Sequence, residues 1–213
     1  MNKKILFLST VVILSLAFVA ATSIFQAQQE TKENELANNN ADVVSRSGSP
    51  SKGAVDAKVT IVEFFDPACE ACRAFYPFVK KIMNENPDDI RLVLRYAAFH
   101  EGSDEVVLML EAARRQGLYS EVLVSILAGQ NSWASHSKPN LANVWNIAES
   151  AGLDISKARE DMEDPDIIQV LEQDTADVKS LGIQKTPTFF VNGKPLESFG
   201  SQQLYDLVQS ELK

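Results

Sequence analysis

The chain contains two cysteines, Cys69 and Cys72, which lie three positions apart in the stretch "FFDPACEACRAF". A closely spaced pair of thiols can bind a metal, form a structural disulfide or exchange disulfides with another protein. An apolar run ends just before the pair, and a helical pattern begins with it. The remaining residues and the surrounding elements therefore have to discriminate between these three chemistries.

A metal site is the first alternative, and the ligand inventory argues against it. Structural zinc needs four ligands, usually a second C-x-x-C or a pair of histidines. There is no third cysteine, and His100 and His136 are far apart and outside any ligand motif. We interpret both histidines as surface or helix-end residues and predict no metal. Capture of Cu(I) by the two thiolates remains an alternative without supporting Met or His residues.

Redox chemistry is favoured over a structural disulfide. A disulfide between residues this close encloses a loop too short to constrain the unfolded chain. At the start of a helix, in contrast, unpaired N–H groups and the helix dipole stabilise a thiolate. Cys69 is the predicted nucleophile, and Cys72, one turn later, would resolve the mixed disulfide. Such a reaction needs no cofactor, because the dithiol itself carries the electrons.

The apolar pattern predicts an α/β protein. Residues 58–65 and 90–96 read as strands, and the helical pattern between them implies parallel pairing through a right-handed crossover. From about residue 103 to 164 only helical periodicity occurs, with Ser103 as the expected cap of the first helix.

The last part of the chain returns to strands. Asp164 and Pro165 are typical of a helix start, and Gly182 of a helix end. Residues 188–199 then predict a hairpin around Asn192 and Gly193, followed by a final helix capped by Ser201.

This ordered set of features resembles the DsbA-like branch of the thioredoxin superfamily, in which a helical domain is inserted into the thioredoxin fold. The resemblance rests on "VEFFDPACEAC", Pro77 eight residues after Cys69, the inserted helices, "TPTFFVNG" at 186–193 and the closing helix. It covers about residues 55–213. It implies one DsbA-like domain over residues 54–213 with a helical insertion over about 101–164.

The resemblance also implies further site residues. In this family the proline of the second motif is cis and lies beside the dithiol, which corresponds to Pro187, with Thr186 before it. Substrate peptides of the family pair there as an added strand. Glu63, six residues before Cys69, occupies the position of a buried acid that passes protons to the resolving cysteine. The alternative is a solvated Glu63 at a strand edge; burial would require pairing or protonation.

The resemblance implies a protein disulfide oxidoreductase that acts on cysteines of exported proteins and is recycled by a membrane redox protein. Glu70 and Ala71 depart from the Pro-His of the strongly oxidising DsbA enzymes, and Glu70 opposes a neighbouring thiolate. A weaker oxidant is therefore expected. Disulfide reductase or isomerase activity remains an alternative, as does a chaperone-like module that binds peptides and does not use the dithiol.

The N-terminal region indicates export. Residues 1–25 combine Lys3 and Lys4 with an apolar run over residues 5–25, which fits a signal peptide or a retained membrane anchor. Both place the protein in the periplasm or on the outer face of the cytoplasmic membrane. Residues 26–53 are polar and predict a flexible stalk. The net charge of −9, without a basic cluster, argues against nucleic-acid binding.

Overall fold

A computed structural model describes residues 18, 20, 22–25, 43–135 and 138–213. Most of the predicted leader, residues 26–42 of the predicted stalk, and His136 lie outside these residues. Across the described part of the chain, no helix combines the length and the apolar character that a membrane span requires.

A five-stranded sheet, in the order β1-β3-β2-β4-β5, forms the centre of the fold. Strands β2 and β3 are parallel, with Val59 opposite Ile90, as the helical crossover predicts. Strand β4 lies antiparallel on the other side of β2. The strands are β1 Ser51–Lys52, β2 Val59–Phe65, β3 Ile90–Tyr96, β4 Thr188–Val191 and β5 Lys194–Pro195.

The helices divide into those that cover the sheet and those inserted between β3 and α7. Helices α2 to α6 form the insertion and fall within the predicted range 101–164. The helices are α1 Glu70–Glu85, α2 Ser103–Arg115, α3 Tyr119–Ala128, α4 Gln130–Trp133, α5 Leu141–Ser150, α6 Ile155–Asp161, α7 Pro165–Ser180 and α8 Ser201–Leu212. This architecture confirms the predicted thioredoxin fold with an inserted helical subdomain.

Strand β2 is buried on both faces because each face packs against a separate core. Ile61 and Phe65 belong to the larger core, which includes residues of α1, α8 and the insertion. Val62 and Phe64 belong to a smaller core with Val178 of α7. Side chains alternate along a strand, so Glu63 lies on the same face as Ile61 and Phe65. The end of β2 thus delivers the dithiol motif from a rigid, buried element.

The predicted stalk, residues 26–53, is wrong from Val43 onward. Val44 is buried against the smaller core, and β1 pairs antiparallel with β3. Fully buried Arg95 holds this segment, because its Nη1 donates to the carbonyl oxygens of Val43 and Val44. The folded domain therefore includes at least residues 43–53, which precede the predicted boundary at residue 54. The sequence of this segment is polar, and its anchor lies on a distant strand.

Arg95 also joins the sheet to α7. Its Nε donates to Asp174 at 2.8 Å, its Nη2 donates to Asp177 at 2.6 Å, and its guanidinium lies over the Phe64 ring. Arg46 of the N-terminal segment donates to Asp177 as well. One buried cation thus balances carboxylates of α7 and binds the segment that crosses them.

Three local expectations were wrong. Ser103 does not cap its helix: α2 follows Gly102 without a side-chain cap, and the Ser103 hydroxyl donates to Asp66. The second hairpin strand contains only Lys194–Pro195 and does not extend through 199. Ser201 likewise opens α8 without a side-chain cap at Gly200.

Replacing Arg95 tests the buried ion network. Arg95→Met leaves the buried carboxylates of α7 without their central cation, so the free energy of unfolding should fall by about 3 kcal/mol or more. Equilibrium unfolding in urea measures the change. Lys81→Met is the control: Lys81 is exposed and forms a surface ion pair with Glu85, so the expected loss is below about 1 kcal/mol. Equal losses in the two variants would contradict the role of Arg95.

Candidate active site

Cys69 is the N-cap residue of α1. The chain leaves β2 at Phe65 and turns at Asp66, whose carbonyl accepts the Cys69 N–H at 3.0 Å. Cys69 is extended, with φ −72° and ψ 120°, and its Sγ accepts the N–H of Cys72 at 3.4 Å. A sulfur at this position replaces the oxygen of a usual capping residue. The spacing of three residues therefore directs a first-turn N–H of the helix at the first thiol.

The environment of Cys69 favours its thiolate and lowers its pKa from 9.0 to about 5. The largest cause is hydrogen bonding from the Cys72 side chain; burial opposes it, and the Thr186 side chain and the N–H groups of Cys72 and Ala71 add to the lowering. Cys69 Sγ also lies 3.3 Å from the Thr186 carbonyl oxygen, a contact that only the protonated thiol can use. The several donors outweigh that single acceptor. Glu70, which was expected to oppose the thiolate, is exposed at the first position of α1, and its charge is not among the causes of this pKa shift.

Cys72 is buried one turn into α1, and its pKa is raised. Burial is the largest cause, followed by hydrogen bonding to Cys69 and the charges of Glu63 and Cys69. The Asp66 N–H, 3.5 Å from Cys72 Sγ, acts in the opposite direction. The two sulfurs, both unbonded here, thus have opposite protonation preferences: Cys69 as a thiolate and Cys72 as a thiol.

The loop before β4 brings Thr186 and Pro187 to the dithiol. The Thr186–Pro187 peptide bond is cis, as the resemblance implied. Thr186 contacts Cys69 through its carbonyl and its side chain, although 117 residues separate the two. The structure therefore unites the two sequence motifs at one site.

Glu63 is buried, with 2% of its surface exposed, and is not a solvated strand-edge residue. Its partners across the sheet, Leu94 and Phe189, are apolar. Burial is the main cause that raises its pKa from 4.5 to about 8, and the Cys69 charge adds to it. The charge of Cys69 raises the pKa of Glu63, and the charge of Glu63 raises that of Cys72, so this predicted residue is within electrostatic reach of the dithiol.

Three residues near the site were not predicted. Asp66 is fully buried, and its carboxylate accepts a hydrogen bond from the ring of His100, which the sequence analysis interpreted as a surface or helix-end residue. Gln130 of the insertion donates from its side chain to the carbonyls of Pro67 and Cys69. An aspartate followed by proline directly after a buried strand was the only available signal; nothing in the sequence indicated Gln130.

An aromatic cluster joins Phe75 of α1, three residues after Cys72, to Phe189 of β4 and to Phe199. The Phe75 ring is 4.6 Å from that of Phe199 and 5.7 Å from that of Phe189, measured between centroids. Phe199 is 47% exposed, so part of the cluster faces solvent.

No group of three or more His, Cys, Asp or Glu side chains that could hold a metal ion occurs in the ranges that the structure describes.

Comparison with known proteins gives a consistent match. A family model described as thioredoxin matches residues 45–210. The crystal structure of a thioredoxin-like oxidoreductase from Silicibacter pomeroyi DSS-3 is 31% identical, with a TM-score of 0.69, and the match covers 79% of this chain and 95% of that one. The crystal structure of BdbD from Bacillus subtilis in its oxidised form is 23% identical, with a TM-score of 0.68, and the match covers 78% of this chain and 93% of that one. At this identity the match shows a shared fold.

Curated relatives extend the comparison. Disulfide bond formation protein D of Bacillus subtilis is 25% identical over 189 residues, which cover 79% of each chain. A Na(+)/H(+) antiporter NhaA of Herminiimonas arsenicoxydans is 28% identical over 145 residues, or 68% of this chain. The matched region is 22% of that antiporter, so this chain is similar to one part of a much longer protein.

The thiolate of Cys69 can be titrated alone after Cys72→Ala. The variant lacks the largest contribution that lowers the pKa of Cys69, so that pKa should rise above about 5. It should stay below 9.0, because Thr186 and the backbone N–H groups remain. The ultraviolet absorbance of the thiolate reports the titration, with a Cys69→Ser/Cys72→Ala variant as the background. A midpoint at or below the wild-type value would show that the Cys72 thiol does not stabilise the thiolate.

Proposed function

Because this chain belongs to the thioredoxin family, within its DsbA-like thiol-disulfide oxidoreductases, we propose that it exchanges disulfides with cysteines of exported proteins through Cys69 and Cys72. The observation that carries the proposal is the opposite protonation of the two sulfurs. Cys69 lies at the N-cap of α1, where several donors lower its pKa to about 5, whereas Cys72 is buried and its pKa is raised. A nucleophile and a resolving thiol need this division.

In the reducing direction, the Cys69 thiolate attacks one sulfur of a substrate disulfide. A bond forms between Cys69 and that sulfur, and the other substrate sulfur leaves as a thiolate and takes up a proton. Cys72 then loses its proton and attacks Cys69 Sγ, which forms the Cys69–Cys72 disulfide and releases the second substrate thiol. The substrate gains two electrons, and the dithiol loses two. The oxidising direction is the reverse sequence.

Glu63 is the proposed base for the second step. A thiol with a raised pKa must lose its proton before it can attack, and Glu63 is electrostatically coupled to it. A carboxyl with a pKa of about 8 exchanges protons close to neutral pH, whereas an ordinary glutamate would remain ionised there. The proton then passes from Cys72 to Glu63 and on to the leaving thiolate.

Thr186 and Pro187 are the proposed contact for the substrate backbone. The Thr186 carbonyl oxygen lies 3.3 Å from Cys69 Sγ, so an extended peptide that pairs with this segment would bring its own sulfur to the nucleophile. Pro187 has no N–H, and the backbone of Thr186 provides the polar groups for pairing. This arrangement recognises the peptide backbone and accepts varied sequences.

The proposed location is extracytoplasmic, because residues 1–25 fit an export signal or an anchor. A membrane redox protein would then restore the dithiol to its working state. Oxidation of client proteins is the favoured direction, with a weaker driving force than in enzymes that carry histidine at the Glu70 position.

Insulin reduction with a small-molecule thiol tests the proposed function. Wild-type protein should accelerate the reaction, and Cys69→Ser should abolish the acceleration because no nucleophile remains. Cys72→Ser should retain the first attack and accumulate mixed disulfides, which mass spectrometry detects. Acceleration that persists in Cys69→Ser would refute catalysis by the dithiol and favour a chaperone-like role.

Glu63→Gln tests the proton step through its pH dependence. The base is active only when ionised, so the rate at which the wild-type protein resolves a mixed disulfide should rise through about pH 8. The variant should lack this inflection and be slower above it. Glu85→Gln, at the solvent-exposed end of α1, is the matched control and should behave as wild type. An inflection that survives in Glu63→Gln would assign the base to another group.

The pH dependence of protein stability gives an independent measure of the raised pKa of Glu63. Its pKa in the folded protein lies above its usual 4.5, so its contribution to stability is present at low pH and is lost as the pH rises to about 8. Glu63→Gln should remove this loss, and urea unfolding at several pH values measures it.

A further inference from the structure

Asp66 lies directly after β2 and is fully buried, yet the proposed reaction gives it no role. Its side chain and its backbone contact different parts of the protein. The side chain reaches the helical insertion, whereas the backbone reaches both cysteines. This combination makes Asp66 the strongest candidate for a further functional residue.

The carboxylate of Asp66 is surrounded by hydrogen-bond donors. One oxygen accepts from the N–H of Ala68 at 2.8 Å and from the hydroxyl of Ser103 at 2.5 Å. The other accepts from the N–H of Phe99 at 2.7 Å, from the N–H of His100 at 2.9 Å and from Nδ1 of His100 at 2.8 Å. Most of these donors belong to residues 99–103, where the chain enters the insertion.

The backbone of Asp66 contacts the dithiol on both sides. Its carbonyl accepts the N–H of Cys69 at 3.0 Å, and its N–H lies 3.5 Å from Cys72 Sγ. That N–H favours a thiolate on Cys72, against burial and the neighbouring charges. Cys69 has separate donors on α1 and on Thr186. A displacement of Asp66 would therefore affect the second sulfur more than the first.

We propose that Asp66 is a positioning residue through which the helical insertion controls the attack of Cys72 on the mixed disulfide. This inference rests on the proposed function. The carboxylate fixes the turn between β2 and α1 against residues 99–103, and the turn holds the Asp66 N–H at the sulfur that must become a thiolate. Without that anchor the N–H moves away from Cys72, and the second step slows while the first step continues.

Asp66→Asn is the informative variant because it preserves shape. On either side, the new amide NH2 would face an N–H donor, of Ala68 or of Phe99 and His100, so the anchor cannot form fully. Ser103→Ala is the milder variant, because it removes one hydroxyl donor and leaves the carboxylate in place. Asp88→Asn, in the exposed loop between α1 and β3, is the matched control.

The experiment follows single turnovers of the reduced full chain with a disulfide-linked peptide dimer as the probe. Acid quenching and mass spectrometry measure the mixed disulfide and the Cys69–Cys72 disulfide over time. In Asp66→Asn the second step should be about tenfold slower, while the first stays within about twofold of wild type. Ser103→Ala should slow the second step by about two- to threefold, and Asp88→Asn should change neither step.

The ratio of the two rates decides the result. An unchanged ratio in both Asp66→Asn and Ser103→Ala, including an equal slowing of both steps, would overturn the positioning role. If Asp66→Asn does not fold, the ratio in Ser103→Ala decides alone. Wild-type protein that forms neither a mixed disulfide nor a Cys69–Cys72 disulfide would overturn the proposed function, a different outcome from wild-type activity with an unchanged ratio in the variants.

Discussion

The first turn of α1 is the constraint on which the site depends. Because Cys69 is the N-cap, its sulfur accepts hydrogen bonds from the backbone N–H and from the thiol of Cys72, one turn later. These contacts exist only if the helix begins at Cys69, and it begins there because β2 and the Asp66 turn end immediately before it. The buried strand therefore determines the chemistry of the sulfur by fixing where the helix starts.

The stabilisation of one sulfur has a cost at the other. The hydrogen bond from the Cys72 thiol to Cys69 favours the Cys69 thiolate, but it also raises the pKa of Cys72. Burial and the charge of Glu63 raise the pKa of Cys72 further. The first attack is thereby favoured and the second made difficult. Glu63, with a pKa near 8, is the proposed proton acceptor for this second attack, and the Asp66 N–H, 3.5 Å from Cys72 Sγ, favours the Cys72 thiolate.

Sequence reasoning succeeded where local pattern determines structure. The periodicity of 58–65 and 90–96 identified the paired strands, and the "TPTFFVNG" motif located the cis Thr186–Pro187 bond by resemblance. It failed where a polar side chain has a distant partner. The backbone of Val44 is held by a hydrogen bond from Arg95, about fifty residues away. The Ser103 hydroxyl donates to Asp66 instead of capping its own helix. Periodicity reports burial along a segment and carries no information about such pairs.

The same limitation concealed the role of the insertion at the site. The sequence predicted a helical subdomain from about residue 103 to 164. In the structure, Gln130 of this subdomain donates to the Cys69 carbonyl, and residues 99–103 surround the Asp66 carboxylate. The insertion and the thioredoxin frame thus share the hydrogen bonds that hold the dithiol loop. A change in how the insertion packs would reach the sulfurs through these bonds, so the two parts cannot vary independently while the reactivity of the dithiol is preserved.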